Sequence, residues 1–159
     1  RRIAFIGGTS NRDTRGADRQ RGYAEAIREL GLPDGRVIGF GQPPISMAQG
    51  AEAVVQLIRQ WPDVDAVMCV SDLSAFGALM ECRRRGWEVP GRIAIAGFGD
   101  FEVARASHPR ITTVALDCVG MGRAAGELLL RVIDGSREGR RPPAETVLIP
   151  FRVEQRESS

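Results

Sequence analysis

The chain contains no lysine: all 22 of its basic residues are arginine, set against 20 acidic residues for a formal net charge of +2 over 159 residues. A balance this close to neutral leaves no basic footprint for nucleic acid, and the short basic run over residues 137–141 is too brief to make one. Histidine occurs once, as His108 ahead of Pro109, so a histidine-based triad or metal cluster has nothing to assemble around. Cysteine is scarce and odd in number, with Cys69, Cys82 and Cys118 lacking C-x-x-C spacing. Two of the three sit in apolar surroundings and read as buried free thiols in a reducing compartment. A P-loop and a G-x-S-x-G elbow are both missing. The longest apolar runs are strand-sized, so neither a membrane span nor a secretory signal is read. Together these absences predict a cytoplasmic protein that is not an enzyme and holds no metal or cofactor.

What remains is the composition of an ordinary globular domain, with 43% hydrophobic and 26% charged residues and enough length for a sizeable core. Apolar runs and helical stripes alternate. Strands are predicted at Ile3–Gly7, Arg36–Phe40, Ala66–Val70, Ile93–Gly97, Thr113–Leu116 and Thr146–Phe151. Helices are predicted at Gly16–Leu30, Met47–Gln60, Leu73–Arg85 and Gly120–Asp134, with a short turn at Glu102–Ala106. Strands separated by helices of ten or more residues imply an α/β fold, a doubly wound, Rossmann-like parallel sheet flanked by helices. Gly31 and Gly86 fall just past helix ends, where glycine closes the last turn. Ser46-Met-Ala-Gln49 has capping-box spacing, and Asp72 is placed to cap the helix that follows it. The chain opens with Arg1-Arg2 at the edge of a core strand and without Met, which reads as a fragment of a longer protein.

In a parallel sheet the strand endings at Gly7-Gly8, Ser71-Asp72 and Gly97-Phe98-Gly99-Asp100 lie on one carboxyl edge, where ligands bind in open α/β folds. Arg19 is the sharpest residue there. It stands on the stripe Tyr23, Ile27, Leu30, in the first turn of its helix. Its guanidinium either rests its stem on apolar surface with the head in water, or forms a fork of donors for a carboxylate, phosphate or pair of hydroxyls. Arg12 and Arg15 precede it in the loop and favour an anionic ligand. Ser71 offers a hydroxyl to a ligand or to a turn, and Asp100 a polar contact or a cap. Gly97 and Gly99 imply tight backbone geometry or close approach.

Other features point away from chemistry. Gly120-Met-Gly-Arg-Ala-Ala125 fits G-x-G-x-x-A, yet it opens the last helix and meets no acidic residue at a following strand end. It reads as small-residue packing. Asp63 and Asp65 sit at the opposite end of the sheet. Two helices have unclaimed apolar surface: Leu73, Phe76, Leu79, Met80 and Cys82 spread beyond one face, and Gly120–Asp134 carries Met121, Ala125, Leu128, Leu129, Leu130 and Val132.

Gly22-Tyr23 after Arg19, Val70-Ser-Asp72, Val89-Pro-Gly-Arg-Ile-Ala-Ile-Ala-Gly-Phe98, Pro109-Arg-Ile-Thr-Thr-Val114 and Ile149-Pro-Phe-Arg-Val-Glu-Gln-Arg-Glu-Ser158 come in an order that resembles the lac/galactose repressor family. Gly97-Phe-Gly-Asp-Phe-Glu102 is similar to the gluconate repressor subgroup. The resemblance implies a periplasmic-binding-protein-like effector domain of two lobes behind a helix-turn-helix head. Residues 1–115 and 144–159 then form the C-terminal lobe, and 117–137 a helix crossing to an N-terminal lobe outside this chain. It implies a homodimer with Phe76 and Met80 at the interface, and operator DNA bound through the head. Arg19 matches the family's effector arginine. Ser71, Ile45, Gly99, Arg15 and Asp100 complete the expected ligand-binding set. Gly99 departs from an aspartate common in sugar and purine binders; losing that carboxylate favours an anionic effector such as gluconate. A periplasmic sugar-binding protein of an ABC transporter shares the fold and is the alternative, and an NAD-dependent enzyme built on Gly120–Ala125 a further one.

Overall fold

The computed structural model describes every residue except Asn11, Arg12, Asp34, Arg141 and Pro142. In chain order the elements are β1 (Ile3–Gly7), α1 (Thr14–Glu29), β2 (Arg36–Gly39), α2 (Met47–Gln60), β3 (Ala66–Cys69), α3 (Asp72–Arg84), β4 (Ala94–Ala96), α4 (Glu102–Ala106), β5 (Thr113–Leu116), α5 (Cys118–Arg137) and β6 (Phe151–Glu154). Strands β2-β1-β3-β4 form one sheet, and every pairing in it is parallel. Phe5 stands opposite Val37 on one side and Met68 on the other, and Val67 opposite Ile95.

Both faces of this sheet are covered, as parallel strands require. Successive side chains of β1 alternate between two cores. Ala4 and Ile6 join Val54, Leu57, Leu79, Ile95 and Ile111 in the larger cluster, which takes in residues of α2 and α3. Phe5 turns to the other face and meets Tyr23, Ile27, Ile45 and Val70. The Tyr23 hydroxyl donates to the Ile3 carbonyl at 2.8 Å and accepts from the Arg36 amide at 3.1 Å, tying α1 to β1 and β2. The expected stripe on α1 ends one residue early. Leu30 is the C-cap and is exposed, because Gly31 turns the chain away at φ +60°.

Helix starts follow local chemistry. Asp13 accepts the Gly16 amide, moving the start of α1 two residues ahead of the predicted Gly16. The Ser46/Gln49 capping box forms as the spacing predicts. At α3 the cap is Ser71 rather than Asp72. The Ser71 hydroxyl accepts the Ser74 amide, and the Ser74 hydroxyl accepts the Ser71 amide. Asp72 is thereby carried into the first helical turn, with its side chain inward.

The predicted last strand is displaced: Thr146–Pro150 is not a strand, and β6 occupies Phe151–Glu154 beside β5 in a separate two-stranded sheet. Val147 and Leu148 are exposed, so strand-forming residue types there have no partner strand to satisfy them. The chain divides into two compact units, residues 1–114 with 153–159, and residues 115–152. The second is dominated by α5, capped by Asp117 on the Gly120 amide at 2.8 Å. Within α5 only Gly135 is buried; Val119, Met121, Leu129, Leu130 and Val132 are exposed. No helix of the described residues is long and apolar enough to cross a membrane.

Candidate ligand-binding site

Three strand ends and one helix start meet at the carboxyl edge of the sheet, all within the first unit. Arg19 projects there from the second turn of α1. Its Nη1 donates to the carbonyl of Val70, at the end of β3, at 2.9 Å. Its guanidinium carbon lies 3.8 Å from the ring centroid of Phe98, just past β4. Among the described residues no carboxylate lies within ion-pair distance of it. Its pKa is lowered from the usual arginine value, first by burial and then by the neighbouring charge of Arg15, while Asp13 works in the opposite direction. Arginine stays protonated under these conditions. The site therefore holds a partly desolvated cation at a fixed position.

The loop beneath it is braced by a buried acid. Asp72 is fully buried. Its carboxylate accepts the Phe101 amide at 2.7 Å and the Thr113 hydroxyl at 2.6 Å. Its own amide donates to the Phe98 carbonyl. Gly97 packs so closely that an added Cβ would lie 2.2 Å from the Asp72 carboxylate. The Gly97 and Gly99 amides donate to Thr112 and Val114. Gly99 adopts φ +125°, and a Cβ there would sit 2.9 Å from the Phe101 ring. A position with this backbone admits glycine and resists aspartate, so the expected lack of a carboxylate at 99 is enforced by conformation.

The predicted residues come together unequally. Arg19, Ser71 and Gly99 lie at the carboxyl edge, though the Ser71 hydroxyl is engaged in capping α3. Ile45 is buried in the second core, beside Phe5, Tyr23, Ile27 and Val70. Arg15 is exposed in the first turn of α1. Asp100, at φ +53°, pairs its carboxylate with Arg156, and both side chains are largely buried. Arg12 lies outside the described residues. Phe76 and Met80 are half-buried on α3, packed against the larger core. Two contributors escaped sequence reasoning. Phe98 carried no signal beyond being an aromatic between two glycines. Asp72 was masked by its resemblance to a helix cap.

A hollow of about 120 Å³ opens beside this edge, lined by Gly8, Thr9, Asp13, Gly16 and Gln20 among others. A larger one of about 640 Å³ lies against α2 and α3, between Phe40, Val55 and Arg84, and contains none of the candidate residues. Among the described residues no group of three or more His, Cys, Asp or Glu is placed to hold a metal ion. At Gly120 the amide that a dinucleotide phosphate would need is taken by Asp117.

A model of the periplasmic binding protein-like domain matches residues 1–159. The chain belongs to that family. Its relatives narrow the branch to LacI-type regulators. The HTH-type transcriptional regulator GntR of Pseudomonas aeruginosa is 37% identical over 135 residues, covering 85% of this chain and 39% of that protein. The solved structure of a LacI family transcriptional regulator from Silicibacter pomeroyi superposes with a TM-score of 0.90 at 38% identity, over 99% of this chain and 55% of that one. That of the regulator CelR in complex with cellobiose gives 0.83 at 31% identity, over 100% and 47%. The chain thus spans about two fifths of the length of the curated regulator it matches. These relatives are named as transcription regulators.

Proposed function

We propose that this chain is the effector-sensing part of a cytoplasmic bacterial repressor, and that it binds a sugar acid of the gluconate kind at the edge marked by Arg19. The observation that carries this reading is the Arg19 guanidinium, anchored on Val70 with no carboxylate paired to it among the described residues. A partly buried cation without an anionic partner is a standing site for an anion, and a planar fork suits a carboxylate. Gly99 supports the same ligand class, because its backbone keeps an opposing carboxylate out. Ser71 and the loop at Gly99 would supply polar contacts and Ile45 the apolar floor. Arg15 would add positive field, and Asp100, held by Arg156, would set the loop's position.

Bound effector would favour one arrangement of the two lobes and so alter how a pair of helix-turn-helix heads meets operator DNA. The exposed apolar face of α5 would lie against the N-terminal lobe, and α3 would meet a second copy through Phe76 and Met80. The likeness to transcription regulators named GntR supports the regulatory part of this assignment.

Isothermal titration of the full-length protein with gluconate, gluconate 6-phosphate and glucose tests the reading, repeated with Arg19→Ala. Sugar-acid binding should weaken at least about tenfold in the variant, the scale of a lost charge-assisted hydrogen bond. Binding untouched by the substitution, or glucose bound as tightly as gluconate, would reject it.

A further inference from the structure

We propose that Phe98 is a positioning residue: its ring is the platform that holds the Arg19 guanidinium flat at the carboxyl edge, with the edge away from Val70 turned to the ligand. The proposal rests on the reading of Arg19 as the ligand's anchor and extends it to a residue that touches no ligand itself.

The geometry is specific. An arginine side chain has many rotamers, and ordering it costs up to about 2 kcal/mol. Here two contacts restrict it: the guanidinium carbon lies over the Phe98 ring, 3.8 Å from its centroid, and Nη1 donates to the Val70 carbonyl. The first restrains the group against the ring face, and the second restrains its rotation. Of its five N–H donors, the Val70 carbonyl takes one.

The platform is itself fixed. The Phe98 carbonyl accepts the Asp72 amide at 3.1 Å, the Gly97 amide donates to Thr112 at 2.8 Å, and the Gly99 amide to Val114 at 2.9 Å. Gly97 cannot move toward α3 without striking the Asp72 carboxylate. The ring is therefore carried by three consecutive main-chain positions, bonded in turn to Thr112, to Asp72 at the start of α3 and to Val114 of β5. A ligand arriving at Arg19 meets a cation whose orientation is already paid for by folding, which is the condition under which a polar contact yields affinity.

The test uses the full-length protein and three substitutions: Phe98→Leu and Phe98→Met, which keep bulk and lose the π face, and Phe98→Tyr, which keeps both. Gluconate is the titrant, and the Arg19 Nε–H resonance, identified by its loss in Arg19→Ala, is the second readout. Leu and Met should move that resonance out of its ring-current shift and weaken gluconate binding about tenfold, the scale of a partly desolvated cation–π contact. Tyr should restore both to near wild type. An Nε–H resonance unmoved by Leu and Met overturns the platform, as does gluconate affinity that falls equally in the Tyr variant. Absence of gluconate binding in the wild type would overturn the proposed effector class instead. The platform would then stand or fall on the resonance alone.

Discussion

At the scale of single residues, Asp72 has the largest structural consequence. It stands at the start of α3, yet it serves the loop after β4, because Ser71 has already taken the cap. Both of its oxygens accept, one from the part-buried Phe101 amide and one from the buried Thr113 hydroxyl. Hydrogen bonds to a charged group are each worth about 1.5–3 kcal/mol, and stranding the buried Thr113 hydroxyl adds to the loss. Asp72→Ala should therefore cost about 3 kcal/mol or more in urea unfolding. Asp72→Asn should recover part of that, since an amide oxygen accepts one of the two bonds. A loss under about 1 kcal/mol would mean that the loop is braced elsewhere.

At the scale of elements, the crossing of α2 and α3 is set by two glycines. A Cβ on Gly77 would fall inside the Met47 carbonyl, and one on Gly50 inside the Ser74 carbonyl. Backbone on both sides leaves no side chain to yield. Helix propensity alone ranks alanine above glycine by about 1 kcal/mol. Overpacking costs about 1–3 kcal/mol or more, and against rigid backbone it wins. Gly77→Ala should lower stability by about 2 kcal/mol or more, while Gly22→Ala, on α1 with nothing within 4 Å, should raise it by roughly 0.5–1 kcal/mol. Chemical denaturation of the two variants side by side separates packing from propensity. Opposite signs are the expected outcome, and a Gly77→Ala variant as stable as wild type would reject the close crossing.

At the scale of the whole molecule, the chain's last residues act as a strap across the first unit. Ser158 is fully buried and bonds to Ile95, Arg110 and Thr112. Arg156 reaches the Ile111 carbonyl and Asp100. Beside them the Arg110 guanidinium and amide both engage the Glu157 carboxylate. This holds the Glu157 carboxyl at about 2, below its ordinary 4.5, chiefly through the side-chain hydrogen bond from Arg110. A carboxyl with a depressed folded-state pKa contributes stability above its unfolded value and loses it as pH falls through the folded one. Glu157→Gln should accordingly lower the urea midpoint at pH 7, and the gap to wild type should narrow as pH falls from 4.5 toward 2. A gap unchanged between pH 7 and pH 3 would show that the ion pair is not what Glu157 contributes.

The order of strands and helices, the Ser46 box and the closing glycines Gly31 and Gly86 were all legible in the linear chain. They depend on contacts within a few residues or on a side-chain period, and both are written along the sequence. So was the placing of Arg19 at the carboxyl edge, since a helix that follows a parallel strand starts at that edge. The partners were not legible. Phe98 under Arg19, Asp72 under Phe101 and Arg156 on Asp100 are separated in sequence by 79, 29 and 56 positions. Such pairs follow from where separate strands end in space, and no local preference encodes that. The misplaced final strand has the same cause: Thr146–Phe151 has strand-forming residues, but a strand exists only where another offers its unpaired edge, and the fold offers it to Phe151–Glu154.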